Sequence, residues 1–256
     1  MNIYEESLQF HKQLRGKLEV SSRVKITNEK DLSLAYTPGV AEPCREIHKD
    51  PSTAYLYTRK WNTVAVISDG TAVLGLGDIG PLASLPVMEG KSILFKEFAD
   101  VDAFPIVLDT KDVNEIVETV VRIAPTLGGI NLEDISAPRC FEIEKKLKEK
   151  CDIPVFHDDQ HGTAIIVAAG LLNALKVVNK NIEDVQVVIN GAGSAGIAIC
   201  KHLLNIGFKN VTMCDINGIL CEDDDTLKDA HKEIAKATNR SKKTGNLADA
   251  MKNADV

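Results

Sequence analysis

The sequence predicts an α/β protein with mostly parallel sheet, in two domains divided near residue 163. Two observations predict it. Between Ala103 and Phe156, short apolar runs alternate with helical patterns, the rhythm of βαβ units. Beyond Val185, an apolar strand runs into Gly191-Ala192-Gly193-Ser194-Ala195-Gly196 and then a helix, the context that a G-x-G-x-x-G turn requires.

The totals set the bounds. A chain of 256 residues, 44% hydrophobic and 26% charged, has the composition of an ordinary globular protein. A formal charge of -7 argues against nucleic acid or an anionic membrane as the main partner. The six cysteines form no CxxC and no zinc-like spacing with histidine, so reduced thiols and a cytoplasmic setting are expected. Residues 1 to 17 hold no continuous apolar run, which argues against a secretory signal or membrane span there.

Taken in order, residues 3 to 18 read as a weak amphipathic helix. Asp31 reads as a helix cap and Pro38-Gly39 as a turn, with Tyr36 at the loop edge. Trp61 to Ser68 and Ala72 to Leu76 read as strands flanking Asp69-Gly70, a hairpin signal. Leu85 to Phe98 reads as a helix whose apolar face carries Val87, Ile93, Leu94 and Phe98. Lys91 lies among these residues, either as a solvated stem or as a partly desolvated amine able to accept a proton.

Next come strands at Ala103 to Leu108, Gly129 to Leu132 and Ile153 to Phe156, with helices at Asp112 to Ile123 and Arg139 to Cys151 between them. Two carboxylate pairs, Glu133-Asp134 and Asp158-Asp159, follow consecutive strands. Ligands in open α/β sheets bind beyond the carboxyl ends of strands. If the two strands are neighbours, the acids share a crevice, and an oxygen-only donor set favours Mg²⁺ or Mn²⁺. Each pair also has a plain reading, as helix caps or solvated tips.

The glycine-rich turn at 191 to 196 predicts dinucleotide binding, with the pyrophosphate at the helix N-terminus. The strand at Asn210 to Cys214 ends in Asp215, placed to bond the adenosine ribose and so to favour NAD. Arg240, Lys242 and Lys243 follow in a polar loop that a 2′-phosphate would suit, so NADP stays open. The stretch Leu247 to Val256 reads as a helix about to feed a strand, so the Rossmann-type NAD(P)-binding domain is expected to be incomplete and the chain truncated.

Six segments together resemble malic enzymes, closest to the short bacterial type. They are LAYTPGVAEPC at Leu34 to Cys44, SDGTAVLGLGDIGP at Ser68 to Pro81, PVMEGKSILFKEFADVDAFPI at Pro86 to Ile106, INLEDI at Ile130 to Ile135, FHDDQHGTA at Phe156 to Ala164 and NGAGSAG at Asn190 to Gly196. The resemblance implies a substrate and metal domain over 1–163 and a coenzyme domain over 164–256. It implies Glu133, Asp134 and Asp159 as metal ligands, Lys91 as general base and Tyr36 as general acid. Asp158, Thr163, Asn190, Gly191, Gly193, Ser194, Ala195, Gly196 and Asp215 are the coenzyme-binding expectations. The implied reaction turns L-malate into pyruvate and CO₂, in a homodimer whose Tyr36 segment completes a neighbour's crevice. Malolactic chemistry with retained NAD, and a non-catalytic module binding NAD and metal, are the competing readings. One departure is notable: where larger members carry an arginine before LGLGD, this chain reads Thr71-Ala72-Val73, so another cation or backbone N–H must hold the second substrate carboxylate.

Overall fold

Strand order explains most of the architecture. In a computed structural model, which describes residues 2–227 and 229–256, the chain forms two compact units, Met1–Phe156 and His157–Val256. The first opens with four helices, α1 (Ile3–Leu14), α2 (Glu29–Ala35), α3 (Ala41–Lys49) and α4 (Ala54–Tyr57). None of the four buries a residue. Asn28, rather than Asp31, caps α2 by accepting from the Asp31 backbone N–H. The Asp31 carboxylate reaches back to Thr27, through its N–H at 3.0 Å and Oγ1 at 2.6 Å.

Four strands follow, β1 (Thr63–Ser68), β2 (Asp102–Val107), β3 (Gly129–Leu132) and β4 (Val155–His157), ordered β2-β1-β3-β4. β1 pairs in parallel with both β2 and β3. Helices α5 (Pro81–Ala99), α6 (Val113–Ile123) and α7 (Arg139–Lys150) form the connections. Ala65, Ile67, Ile130 and Leu132 pack against Ile116, Val120, Ile143 and Leu147 from α6 and α7 to form the main core.

Two expectations are corrected here. Ala72 to Leu76 is not a strand: both edges of β1 are already taken, so no hairpin partner has room. The segment closes instead into a turn, with Val73 bridging Gly77 and both Gly75 and Gly77 at positive φ. The buried stripe of α5 is also not the one the apolar residues mark. Val87, Leu94 and Phe98 are exposed, whereas Ser84, Met88 and Ser92 face inward. Both serine hydroxyls donate to carbonyls of their own helix, Pro81 and Met88, so they pack as small, already satisfied groups.

The second unit begins within β4 and continues into α8 (Asp158–Val178). It then holds β5 (Gln186–Asn190), α9 (Ser194–Asn205), β6 (Asn210–Asp215), β7 (Gly218–Ile219), α10 (Asp229–Ala237) and α11 (Leu247–Ala250). β5 and β6 are parallel, and β7 returns antiparallel on β6. The core joins Ala168 and Leu175 of α8 to Val187, Ile197, Leu203, Val211 and Met213. By length and composition α8 is apolar enough to cross a membrane, yet its first turn carries Asp158 and Asp159. Past α11, the Asp255 and Val256 N–H groups donate to Gln186 O, and Val188 N–H donates to Val256 O. The last residues thus pair along β5.

Candidate active site and dinucleotide turn

The parallel register carries the ends of β1 and β3 out at one edge of the first sheet, since Ile67 lies opposite Leu132. The residues that follow lace together. Glu133 N–H donates to Ile67 O at 2.8 Å, and Ala72 N–H to Asp134 O at 2.9 Å. Asp134 holds a left-handed φ of 52°, a region that aspartate tolerates better than most residues with a side chain. Gly70, at φ +68°, lies against the Gly80 backbone; a Cβ there would meet Gly80 O at 2.2 Å. An open cleft of about 620 Å³ borders this edge, lined by Ile79, Gly80, Pro81, Leu82, Ala83, Val107 and Asp109.

Glu133 and Asp134 are each 5% exposed. A buried carboxylate needs partners. Glu133 takes a hydrogen bond on Oε2 from Asn131 Nδ2 at 2.8 Å, and its Oε1 lies 3.2 Å from Lys91 Nζ. Lys91 is therefore neither a solvated stem nor an isolated amine: its side chain is 24% exposed, and its head meets a buried acid. Two residues expected at the site from distant segments thus come together. Asn131 is fully buried, with Oδ1 lacking a hydrogen-bond partner among the described residues.

A further buried acid, Asp69, has no counterpart among the expected site residues. Asp69, read above as a turn residue, is 1% exposed and paired with Arg139 at 2.8 Å. Arg139 also donates to Lys111 O, Thr71 Oγ1 and Ser136 Oγ, while Asp69 Oδ1 accepts from the Thr71 N–H and hydroxyl. Arg139 is thus a cation beside Thr71, in the region where the sequence lacks the arginine of larger relatives. With all these donors engaged, it acts as a brace for the loop after β1. Its only sequence signal is an arginine opening a helix, which also describes a surface residue.

Tyr36 ends α2 and is 67% exposed. In the second unit, Asp158 and Asp159 do not cap α8; they occupy its first turn, behind an N-cap at His157. His157 is fully buried, with Nε2 3.7 Å from Asp159 Oδ2. The Asp158 carboxylate lies over Gly162, where a Cβ would stand 2.2 Å from Asp158 Oδ1. Thr163 is half-buried on the next turn.

The glycine-rich turn has the predicted form. β5 ends at Asn190, Gly191 N–H donates to Cys214 O at 2.9 Å, and α9 starts at Ser194 with Gly193 as its N-cap. A Cβ at Gly196 would lie 1.9 Å from Gly191 O, so only glycine lets α9 approach this closely. Ser194 and Ala195 supply first-turn N–H groups, and the end of α9's dipole favours an anion there. Asp215 ends β6 and accepts from Asn217 N–H at 2.7 Å. Lys242 is held by Asp223 at 2.9 Å and Glu222 at 3.1 Å, and the hydrogen bonds it donates to these acids raise its pKa.

Residues 15–148 match the family model for the malic enzyme N-terminal domain, and residues 160–255 match that for the malic enzyme NAD-binding domain. A bifunctional malic/malolactic enzyme of Bacillus subtilis is 58% identical over the whole chain, which covers 63% of that protein. An NAD-dependent malic enzyme of Geobacillus stearothermophilus is 56% identical over the whole chain, covering 53% of it. The crystal structure of an NAD-dependent malic enzyme from Thermotoga maritima superposes with a TM-score of 0.94 at 52% identity, over 97% of this chain and 67% of that one. The chain therefore spans between half and two-thirds of the length of these curated relatives.

Proposed function

This chain belongs to the malic enzyme family, and from that premise we propose that it serves the oxidative decarboxylation of L-malate to pyruvate and CO₂. The coenzyme is NAD or NADP and the metal Mg²⁺ or Mn²⁺. The observation that most supports this reading is the contact between Lys91 and Glu133 at the carboxyl end of β3. It joins the expected base to an expected metal ligand from segments far apart in sequence. We keep the functional division at 1–163 for substrate and metal and 164–256 for coenzyme.

The donor chemistry fits a hard divalent ion: buried carboxylates, the unpartnered Asn131 oxygen, and neither thiol nor imidazole required. Glu133 and Asp134, just past β3, and Asp159, just past β4, would hold the ion. An ion held there would supply Lewis acidity to the reacting substrate. Asp158, Thr163, Asn190, Asp215 and the turn at Gly191, Gly193, Ser194, Ala195 and Gly196 would hold the coenzyme, which supplies a hydride acceptor. Lys91 takes the proton of the C2 hydroxyl as C2 is oxidised. After C4 leaves as CO₂, Tyr36 delivers a proton to C3. Asp215, with Lys242 tied to two acids, favours NAD.

The exposed apolar residues of α1 (Ile3, Tyr4, Leu8 and Phe10), and the exposed Tyr36 at the end of α2, support a homodimer in which the Tyr36 segment completes a neighbouring site. Six free thiols support a cytoplasmic setting. A malolactic second reading draws on the Bacillus subtilis relative, which is described as bifunctional. The deciding assay supplies L-malate, Mn²⁺ and NAD⁺ or NADP⁺ and follows nicotinamide absorbance together with pyruvate and lactate. Pyruvate formed in step with reduced coenzyme supports the main reading. Lactate without net reduced coenzyme moves the assignment to malolactic chemistry, and tight NAD⁺ and Mn²⁺ binding without turnover of malate to a non-catalytic module.

A further inference from the structure

A side chain from outside the glycine-rich turn reaches into it. His231, on α10, places Nε2 2.9 Å from the carbonyl oxygen of Ala192. A carbonyl only accepts, so Nε2 carries the proton and donates. Ala192 is buried, at 8% exposure, between Gly191 and Gly193.

The rest of the turn is fixed by backbone. Gly191 N–H is tied to Cys214 O, Gly191 O lies against Gly196, and Ile197 N–H donates to Gly193 O. Between these points the peptide joining Ala192 to Gly193 is trans, so its carbonyl and N–H point in opposite directions in one plane. Drawing the Ala192 carbonyl toward α10 therefore turns the Gly193 N–H away from α10. Gly193 is the N-cap of α9, so this N–H belongs to the set of donors that the helix start offers to an anion.

We propose that His231 is a positioning residue for the pyrophosphate of the coenzyme: by holding the Ala192 carbonyl, it sets the direction of the Gly193 N–H before any ligand arrives. The role acts through the backbone and needs a donor at Nε2. It rests on the coenzyme reading given above, and it concerns the pyrophosphate rather than the adenosine or nicotinamide ends.

The test is calorimetric titration of the chain with ADP-ribose, which carries the pyrophosphate without nicotinamide. His231→Leu keeps bulk and removes the donor; His231→Gln restores a donor at similar reach. The proposal expects about tenfold weaker binding for His231→Leu and recovery to within about threefold of wild type for His231→Gln, the scale of one hydrogen bond. Wild-type affinity in His231→Leu overturns the positioning role while leaving the coenzyme reading intact. Equal loss in both variants overturns it in favour of simple packing. Absence of ADP-ribose binding by the wild-type chain removes the coenzyme reading and this proposal with it.

Discussion

Replacing Arg139 with methionine strands a charge. Asp69 is 1% exposed, and its Oδ2 lies 2.8 Å from the guanidinium. At that distance and an effective dielectric of about 20, the pair attracts by about 6 kcal/mol. Part of this is offset because the arginine gave up water to reach its place, though its side chain keeps 22% exposure. Thr71 continues to hydrogen-bond Asp69 Oδ1 in the variant. The expected net loss is about 3 kcal/mol, the low end for breaking a buried pair. Urea unfolding followed by Trp61 fluorescence measures it, because the single tryptophan lies in the first unit and reports that unit alone. With a slope of about 2 kcal/mol per M, the midpoint drops by roughly 1.5 M. Asp69→Asn in the Arg139→Met background should recover about 1.5 kcal/mol, since the stranded charge is then gone. A midpoint shift below roughly 0.5 M, or a double variant no more stable than Arg139→Met, would refute the claim that Arg139 neutralises Asp69.

Three further outcomes are expected. Asp159→Asn should weaken Mn²⁺ binding by more than about tenfold in calorimetry, since the amide keeps one oxygen but loses the negative charge; unchanged binding removes Asp159 from the ligand set. A disulfide reagent at mild alkaline pH should find Cys44, which is exposed, well before Cys200, whose thiol burial pushes up to about 12; Cys44→Ser should abolish the fast phase, and its persistence would contradict the exposure assigned to Cys44. The Asp31 carboxyl is held below its usual range, chiefly by the Thr27 hydroxyl. Because its folded pKa is depressed, its contribution to α2 is complete above about pH 4 and lost as the pH falls through the folded value. The Thr27 and Tyr36 amide resonances should therefore shift together below that pH, and a shift centred above about pH 5 would disprove the assignment.

The elements that the sequence reveals are those whose burial follows one simple period. β3 is a short apolar run between helices and stands where that run predicts, while β4 overlaps the expected Ile153 to Phe156 and begins two residues later. The turn at Gly191 was readable because close backbone approach admits few residue types. Ala72 to Leu76 misled because apolar residues beside Asp-Gly imitate a hairpin, while the competition for β1's edges is a property of the whole sheet. The inner stripe of α5 was hidden because Ser84 and Ser92 look polar until their hydroxyls are seen bonded to the helix itself. At the site, Glu133 and Lys91 were visible as residue types, but their meeting was not: 42 positions separate them, and only the packing of α5 on the sheet joins them. Asp69 and Arg139 carry local signals only of a turn and a helix start, and nothing of their pairing, since a charge pair across 70 positions leaves no local trace.

The fold-back of Asp158 over Gly162 has a use beyond its immediate neighbourhood. A single methyl group at position 162 would collide with that carboxylate and force it to another rotamer, re-aiming an acid in the first turn of α8. Position 162 therefore governs where that acid points: a glycine-to-alanine swap re-aims the carboxylate, and because the glycine lies inside α8 it also stiffens the helix there.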